Sequence, residues 1–337
     1  MVSNSQPLVS VVTPVYNGDK YLADCIESIL SQTYKNWEYV IVNNCSTDHS
    51  LEIARKYAEN DERIRIHNNT EFFDLVNNWN HAVNQISLQS KYCKIVHADD
   101  WLFPECIERM VKVAELKPTI SMVGSYVLKG DTIEGAGLPY PSTVVPGNEI
   151  CKLTLLRKLY VFGSPTSLLI RSNLIAKQKA FYNENFFHAD KEVCFKILQN
   201  SDFGFVHQIL SFTRLHDESQ TETVTKKHNT RKMENIGLLM KYGPIYFNKK
   251  EYNMILKQKL RQYYRFLAKN YFRSGTKSFL NYQRKGLARM GYSFSIIRFY
   301  EALLWEMINF LFSPKRIVGQ LVQSADAIRN KKIQNLK

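Results

Sequence analysis

The sequence predicts an α/β fold, with a mostly parallel β-sheet flanked by helices and then an α-helical extension. Strand-like and helix-like segments alternate four times in about the first 100 residues, which is typical of parallel strands joined by crossover helices. Beyond about residue 224 the apolar residues recur at helical spacing, with many lysines and arginines between them. We therefore predict an α/β domain over residues 1–224 and a basic amphipathic helical region over residues 225–337.

The first strand–helix unit lies at the start of the chain. An apolar run over residues 9–17 predicts a buried strand, which Pro14 should break into a loop because proline lacks an N–H group. Residues 19–32 then place their apolar side chains on one helical face. A second strand is predicted over residues 37–42.

The next elements repeat this alternation. A polar turn, residues 43–48, follows the second strand, and Ser46 or Thr47 is the expected cap of the helix after it. A short third strand is predicted over residues 64–66. A helix over residues 77–86 then leads to a fourth strand.

The fourth strand ends in two adjacent carboxylates, Asp99 and Asp100. Ligands bind at strand ends in α/β proteins, and paired carboxylates at such a place suit a hard divalent cation. A cation held in this way keeps coordination sites open for phosphate oxygens, so the pair indicates a phosphate or diphosphate ligand. An isolated Asp-Asp pair would be weak support, because most such pairs are solvated turn residues.

Three segments together resemble the catalytic domain of glycosyltransferase family 2. They are residues 9–17, the turn 43–48 and residues 97–100, in that order and spacing. The resemblance covers about residues 7–222. It implies the GT-A fold, a nucleotide-sugar donor with UDP as the expected nucleotide, and inversion at the anomeric carbon.

The same resemblance predicts a distal acid and an Arg-x-His segment. Asp190 matches the acid and is the expected general base, which takes the proton of the acceptor hydroxyl. Glu192 is the second choice, and Asp190 considered without the family is simply a first-turn acid favoured by the helix dipole. Arg214 and His216 match the Arg-x-His, although an arginine that packs its stem or a surface histidine would look the same.

The cofactor that the resemblance implies is Mn²⁺ or Mg²⁺. Asp99 is the first candidate to hold it and His216 the second, because a metal ion stabilises the charge that builds on a departing nucleoside diphosphate. The resemblance places Asp100 at the edge of this site. His97 stands where a fuller Asp-x-Asp pattern would have its first acid, and a neutral imidazole can bind ribose or Mn²⁺.

The donor site is predicted from strand ends and the segments that follow them. Many family members have two acids and a glycine where this chain has residues 43–45, Asn-Asn-Cys, and one of those acids should accept a hydrogen bond from the base. An asparagine carbonyl accepts the same bond. The predicted nucleotide-sugar-binding residues are Pro14, Val15, Tyr16, Asn17, Asn44, Asn80, His97, Ala98, Asp99 and Arg214.

Charge is distributed unevenly along the chain. Residues 1–224 carry 21 basic and 26 acidic side chains, whereas residues 225–337 carry 24 basic and 5 acidic ones. Residues 251–273 have helical spacing, and residues 294–312 form a denser apolar pattern whose polar residues share an arc of about 140°. Charges within the latter segment disfavour a spanning helix, and its wide apolar face favours a helix lying in an anionic membrane interface.

Two other interpretations of this region stay open. The helix over residues 294–312 could instead dock on the catalytic domain. A nucleic-acid surface fits the charge, but no zinc pattern, RNP motif or helix-turn-helix is visible in the sequence. We therefore predict no nucleic-acid partner.

Other features of the sequence indicate the cellular compartment of the protein and one long loop. The six cysteines show no CxxC pair and predict reduced, mostly buried thiols. No basic region followed by an apolar run marks a signal peptide, so we predict a cytoplasmic protein, peripheral on the cytoplasmic face of the membrane. Residues 130–147, with their glycines and prolines, predict a long loop beside the active site.

The leading hypothesis is an inverting, metal-dependent hexosyltransferase. It would move a sugar from a UDP-sugar to a hydroxyl of a glycan or lipid-linked acceptor in cell-surface polysaccharide synthesis. A sugar-1-phosphate nucleotidyltransferase shares the architecture but normally has a Gly-rich phosphate loop with a basic residue, which residues 14–18 do not supply. A non-catalytic lipid- or glycan-binding protein is the other alternative, against which Asp99 and Asp190 argue.

Overall fold

A computed structural model of the protein describes residues 6–176, 180–216, 225, 228–274 and 277–311. The chain divides into two compact units, the first made of residues 1–227 and 241–248 and the second of residues 228–240 and 249–337. The predicted boundary between residues 224 and 225 lies beside residues outside the described part. The domain limits therefore stay a prediction.

The first unit is built on one mixed β-sheet. The strands β1 to β10 are, in chain order, Val9–Val15, Trp37–Asn43, Ile64–Asn68, Tyr92–Ile95, Trp101–Leu102, Ile120–Lys129, Thr132–Glu134, Val144–Pro146, Leu168–Arg171 and Asp202–Thr213. They are ordered β3-β2-β1-β4-β9-β6-β10-β5, with β7 beside β6 and β8 beside β10. Strands β3, β2, β1 and β4 run parallel, as do β6 and β10, whereas β9 is antiparallel to both of its neighbours.

Helices flank this sheet, which confirms the predicted fold class. Helices α1 to α7 are Asp19–Leu30, Ser50–Ala58, Leu75–Val83, Cys106–Ala114, Gly147–Leu155, Asn173–Ala176 and Ala189–Ile197. The apolar face of α1 is buried as its spacing predicts, and it shares one core with side chains of β1, β2 and α4. All six cysteines are free thiols and five of them are buried, as predicted.

Pro14 lies inside β1, so the prediction that it breaks the strand is wrong. It pairs in register with Val42 of β2, while the pairing of β1 with β4 ends at Val12. A strand residue with only one neighbouring strand loses little by lacking an N–H group, because no ladder hydrogen bond is required on its open side. The strand therefore continues through the proline.

The prediction that Ser46 or Thr47 caps α2 is also wrong. This helix begins at Ser50, whose N–H donates to Oδ1 of Asp48 at 3.0 Å. Oγ of Ser46 instead accepts a hydrogen bond from the N–H of Asn17 at 3.0 Å. The hydroxyl of Ser46 therefore joins two loops and does not start a helix.

Residues 130–147 are only partly a loop. The strands Thr132–Glu134 and Val144–Pro146 pair with β6 and β10. Gly130 has a φ of 58°, in the left-handed region that favours glycine. Its N–H donates to the carbonyl of Thr213 at 3.2 Å, so this segment begins beside the end of β10.

The second unit is helical and has its own core. Helices α8 to α11 are Thr230–Tyr246, Lys249–Ser274, Lys277–Arg289 and Ile296–Leu311, and residues 241–246 of α8 belong to the first unit. The core consists of Met233, Ile236, Tyr263, Tyr264, Leu267, Ala268, Phe279, Leu287, Phe299 and Ala302. Within the described residues, every helix is too short or too polar to cross a membrane.

Helix α11 has two apolar faces. Phe299 and Ala302 are buried in the core of the second unit, and Glu306 is buried beside them with its Oε1 3.2 Å from Nε of Arg265. The predicted polar arc, which includes Glu306, therefore turns partly inward. The other face is exposed and forms what we term the apolar stripe, Ile296, Ile297, Tyr300, Leu304, Met307 and Ile308. Phe312 and residues 313–337 lie outside the described residues.

Candidate active site

The candidate site lies where the parallel strands β1, β2 and β4 end. Carboxyl ends of neighbouring parallel strands share one edge of a sheet, so the segments after Val15, Asn43 and Ile95 come close together. The N–H of Val96 still donates to the carbonyl of Val12 at 2.9 Å, and the His97–Asp100 turn follows it. The three sequence segments that predict the site thus meet at one sheet edge.

Asp99 lies beside the Arg-x-His segment. Nε2 of His216 is 2.9 Å from Oδ2 of Asp99. Arg214 donates from Nε to the carbonyl oxygen of Asp99 at 3.2 Å and from Nη2 to Asp24 at 2.8 Å. The Arg214 guanidinium also lies 4.2 Å from the centre of the Tyr21 ring. The structure thus brings the predicted metal ligands Asp99 and His216 together and holds Arg214 next to them.

Asp100 is the buried acid of the pair, and its place at the edge of the site stays a prediction. Only 2% of this residue is exposed. Its Oδ2 accepts a hydrogen bond from the Thr166 hydroxyl at 2.6 Å, and its Oδ1 accepts one from the N–H of Arg214 at 3.2 Å. Burial, together with the neighbouring charge of Asp99, raises the pKa of Asp100 to about 6.

These groups fit a divalent cation. One ligand atom from each of His97, Asp99 and Asp100 lies within 4.8 Å of the other two. Nε2 of His97 and Nδ1 of His216 are buried and make no hydrogen bond with any described residue. Carboxylate oxygen and imidazole nitrogen suit Mn²⁺, while Mg²⁺ favours oxygen alone. His97, Asp99 and Asp100 could therefore hold the implied metal, and His216, the other predicted ligand, contacts Asp99 at the edge of this group.

The loop after β1 is fixed by the loop after β2. Asn17 has a φ of 49°, and its side-chain oxygen accepts a hydrogen bond from the N–H of Thr47 at 2.8 Å. Tyr16 is 42% exposed and meets Phe72 edge to face, with 4.9 Å between the ring centres. Asn17 therefore shapes the loop, whereas Tyr16 presents a ring to solvent that a nucleotide base can contact. No pattern in the sequence indicates that Phe72 contacts Tyr16.

Pro14, Val15 and Ala98 lie at the adjoining strand ends. The side chains of Pro14 and Val15 are buried, and the Val15 carbonyl accepts a hydrogen bond from the N–H of Asn44 at 2.8 Å. A Cβ atom on Gly18 would lie 3.0 Å from a Val15 methyl and 3.5 Å from the Cβ of Ala98. The absence of a side chain at Gly18 thus lets the loops after β1 and β4 approach each other.

Asn44 is buried and its side chain already has partners. Its Oδ1 accepts hydrogen bonds from the N–H of Phe73 and from Nδ2 of Asn69, both at 3.0 Å. Its Nδ2 donates to the carbonyl of Phe73 at 2.8 Å. A carbonyl oxygen has two acceptor positions, and both are used here. Asn44 therefore positions the loop of residues 69–73, and the predicted contact with the base would require one of these bonds to break.

Asn80 and Trp79 connect the acidic cluster with a later segment. The side chain of Asn80 donates to the carbonyl of Tyr182 at 2.9 Å and accepts from its N–H at 2.7 Å. Trp79 stacks on His97 with 5.3 Å between ring centres and meets Tyr182 edge to face at 5.5 Å. A continuous set of contacts thus runs from the cluster to the segment just before α7, the helix that carries Asp190.

Asp190 and Glu192 share the first turn of α7 but differ in exposure. Asp190 is partly exposed. Glu192 is 1% exposed, and its Oε1 accepts hydrogen bonds from Nζ of Lys241 at 2.5 Å and from the hydroxyl of Tyr242 at 2.6 Å. A general base must reach the proton that it removes. Burial and these two hydrogen bonds favour a structural role for Glu192, and Asp190 stays the first candidate for the base.

Two residues behind the acidic cluster are absent from the sequence prediction. Lys94 of β4 is fully buried, and its Nζ donates to the carbonyl oxygens of Thr166 at 2.5 Å and Leu168 at 3.3 Å. The sequence does contain a signal that could have identified Lys94. A lysine inside an apolar strand is unusual, because lysine is almost never fully buried. Thr166 had no such signal, since it contacts Asp100 across 66 residues.

Comparison with known proteins places the first half of the chain in a family. Residues 10–176 match the family model Glycosyl transferase family 2. The Bacillus subtilis protein EpsE, named as a glycosyltransferase, is 34% identical over 162 residues, which are 46% of this chain and 58% of EpsE. An uncharacterized glycosyltransferase of Haemophilus influenzae is 29% identical over 194 residues, 55% of this chain and 58% of that protein. The chain thus matches less than two thirds of the length of these relatives.

Solved structures share the fold at low sequence identity. Residues 1–349 of S. aureus TarS in complex with UDP superpose with a TM-score of 0.60 at 18% identity, covering 84% of this chain and 79% of that chain. The mannosyltransferase PcManGT from Pyrobaculum calidifontis, in complex with GDP-Man and Mn²⁺, gives a TM-score of 0.51 at 13% identity, covering 90% and 88%.

Residues 10–176 belong to glycosyltransferase family 2, a family of transferase enzymes, and the structure shares the GT-A fold of the solved neighbours. The resemblance noted in the sequence is thereby confirmed, and so is the predicted fold.

Proposed function

We propose that this protein transfers a sugar from a UDP-sugar to a hydroxyl of a glycan or lipid-linked acceptor in cell-surface polysaccharide synthesis. The main support is the cluster of His97, Asp99, Asp100 and His216 at the strand ends, which suits a metal-bound diphosphate. TuaG of Bacillus subtilis, named for teichuronic acid biosynthesis, is 45% identical over 65 residues, 19% of this chain and 26% of TuaG. The complex of TarS with UDP supports the choice of nucleotide.

In this proposal Asp99, Asp100, His97 and His216 hold Mn²⁺ or Mg²⁺. The cation, when bound, supplies positive charge that stabilises the departing diphosphate. Arg214 keeps the backbone of Asp99 in place through the hydrogen bond from its Nε. The ring of Tyr16 offers an exposed surface on which the base of the donor can stack.

Asp190 is the proposed general base. It takes the proton of the acceptor hydroxyl while the hydroxyl oxygen forms a bond to the anomeric carbon. The bond between that carbon and the diphosphate oxygen breaks on the opposite side, and the electron pair leaves with the diphosphate. One displacement of this kind inverts the anomeric configuration and needs no covalent intermediate with the enzyme.

The structure disfavours the nucleotidyltransferase alternative. A phosphate-binding loop presents free backbone N–H groups to the ligand. The N–H groups of residues 17–19 instead donate to the side chains of Ser46 and Asp48 in the loop after β2 and of Ser50 at the start of α2.

We also propose that the second unit binds the anionic cytoplasmic face of a membrane. The apolar stripe of α11 supplies an exposed surface, and residues 225–337 carry 24 basic side chains. Trp305 lies next to this stripe, with the guanidinium groups of Arg261 and Arg265 5.8 and 5.3 Å from its ring centre. Aromatic rings and arginines placed together suit the boundary between head groups and acyl chains.

A panel of radiolabelled nucleotide sugars tests the transferase proposal. The purified protein should slowly hydrolyse one donor in the presence of Mn²⁺, and EDTA should stop this hydrolysis. The Asp99→Asn variant is the matched control and should leave the same donor intact. Absence of both binding and hydrolysis for every nucleotide sugar would overturn the proposal. Release of pyrophosphate from a nucleoside triphosphate and a sugar 1-phosphate would support the nucleotidyltransferase instead.

A further inference from the structure

A single buried hydroxyl contacts two of the residues in the acidic cluster. Thr166 lies in the short 3-10 turn Pro165–Ser167 and is fully buried. Its Oγ1 donates to Oδ2 of Asp100 at 2.6 Å and accepts a hydrogen bond from the N–H of His97 at 3.1 Å. Because a hydroxyl has one hydrogen, donation to Asp100 and acceptance from His97 together fix its orientation. The hydroxyl thus links the backbone at His97 with the carboxylate of Asp100.

Lys94 holds the backbone of Thr166 from the interior of the sheet. Its Nζ donates to the carbonyls of Thr166 and Leu168 and lies 3.6 Å from Sδ of Met110. No carboxylate of the described residues forms an ion pair with it. Burying an ammonium group costs free energy unless hydrogen bonds compensate. Lys94 therefore holds the segment that carries Thr166 with two hydrogen bonds.

We infer that Thr166 is a positioning residue for the cation-binding carboxylate of Asp100, and that Lys94 acts through Thr166. This inference rests on the proposed function, because it assigns the cluster to a divalent cation. A carboxylate that binds a metal ion must keep one orientation, and a hydrogen bond to one of its oxygens restrains the rotation. Outer partners of this kind contribute about 10–100-fold to metal affinity.

The test compares Thr166→Val, which keeps the size of the side chain and removes the hydroxyl, with Thr166→Ser, which keeps the hydroxyl. Titration of the full-length protein with Mn²⁺, followed by the electron paramagnetic resonance signal of the free ion, gives a dissociation constant without any catalytic turnover. Thr166→Val should raise this constant about 10–100-fold. Thr166→Ser, which keeps the hydroxyl, should leave it close to the wild-type value.

Thr154→Val is the matched control. Thr154 is also buried, in α5, and its hydroxyl has no hydrogen-bond partner among the described residues. This variant should leave the Mn²⁺ dissociation constant unchanged. A general effect of replacing a buried threonine by valine would instead move both constants.

Lys94→Met tests the second half of the inference. It should also raise the Mn²⁺ dissociation constant, and its combination with Thr166→Val should cost less than the two single effects together, because both act through one contact. Wild-type protein that binds no Mn²⁺ would overturn the metal assignment and this inference with it. Wild-type and Thr166→Val proteins that bind Mn²⁺ equally would overturn this inference alone. Should Lys94→Met fail to fold, the comparison at Thr166 still decides.

Discussion

His216 lies against Asp99, with 2.9 Å between Nε2 and Oδ2, although 117 residues separate the two in the sequence. The pairing of β10 with β5 explains this contact. The two strands are antiparallel, with Phe212 opposite Trp101, and their rings stack at 3.8 Å. The residues just before β5, Asp99 and Asp100, and the residues just after β10 must therefore meet. Strand register, and not a local motif, builds this part of the site.

The first prediction concerns the two acids. Asp99→Asn and Asp100→Asn should each lower kcat/KM by about 10²–10³-fold, because each removes charge from the cluster that would face the leaving diphosphate. We expect equal losses because Asp100 belongs to the same group of possible metal ligands as Asp99, whereas the family resemblance predicts a smaller loss for Asp100→Asn. Steady-state kinetics with the identified donor, and circular dichroism to check the fold, provide the measurement.

Asp131→Asn is the control for this prediction. It removes the same charge from an exposed position and should change neither kcat nor KM. Wild-type activity that persists in EDTA, or an active Asp99→Asn variant, would contradict the assignment of the cluster to a metal ion.

The second prediction separates Asp190 from Glu192. Asp190→Asn should lower kcat by about 10²–10⁴-fold, as expected for a lost general base, with little change in the KM of the donor. Glu192→Gln should instead lower the free energy of unfolding by about 1–3 kcal/mol, because it weakens the hydrogen bonds from Lys241 and Tyr242. Its kcat should stay near that of the wild type when measured well below the melting temperature. A folded but inactive Glu192→Gln variant beside an active Asp190→Asn variant would reverse the assignment.

The third prediction concerns pH and the pair His67 and His81. Their Nε2 atoms are 3.0 Å apart, so one ring must be a neutral acceptor. Burial, and then the charge of His67, lowers the pKa of His81 from 6.5. A lowered pKa means that the unfolded chain takes up this proton first as the pH falls. The stabilising contribution of neutral His81 is therefore present above pH 6.5 and is lost as the pH falls from there toward the lowered value.

This loss of stability should extend to the loop of residues 69–73, which Asn44 positions. Phe73 stacks on His81 at 5.0 Å between ring centres, and its backbone makes two of the hydrogen bonds of Asn44. We expect the melting temperature of the wild type to fall, and the KM of the donor to rise, as the pH is lowered below 6.5. Thermal unfolding and kinetics of His81→Gln, which cannot take up the proton, should show a smaller change. Equal pH dependence in both proteins would rule out a role for His81.

Local periodicity and family resemblance explain how much could be predicted from the sequence. The alternation of strands and helices up to Asp99 follows from apolar spacing within each segment, so these elements were predictable. Pro14 stays in β1 because at this position the strand pairs only with β2. The sequence does not reveal on which side a strand residue has a neighbour. The contacts of Thr166 with Asp100 and of Asn44 with Phe73 join distant segments through single hydrogen bonds. Nothing in residue spacing indicates such contacts.

In the second unit, sequence and structure differ in detail. The predicted apolar face of residues 294–312 is divided in two. Phe299 lies in the core, whereas Leu304 and Ile308 remain exposed. Only the exposed part is free to enter a lipid surface. Basic side chains attract an anionic surface by about 1 kcal/mol each, and salt screens this attraction over roughly 10 Å at 0.1 M.

The fourth prediction therefore combines charge with the apolar stripe. The full-length protein should sediment with anionic vesicles, bind neutral ones poorly, and lose binding steeply as salt rises. The double variant Leu304→Gln and Ile308→Gln should lose most of this binding while its donor hydrolysis stays unchanged, because both side chains lie on the exposed face of α11. Ile133→Gln replaces an exposed apolar side chain of the first unit and should bind like the wild type. If the double variant sediments with anionic vesicles as completely as the wild type, the stripe does not contact lipid.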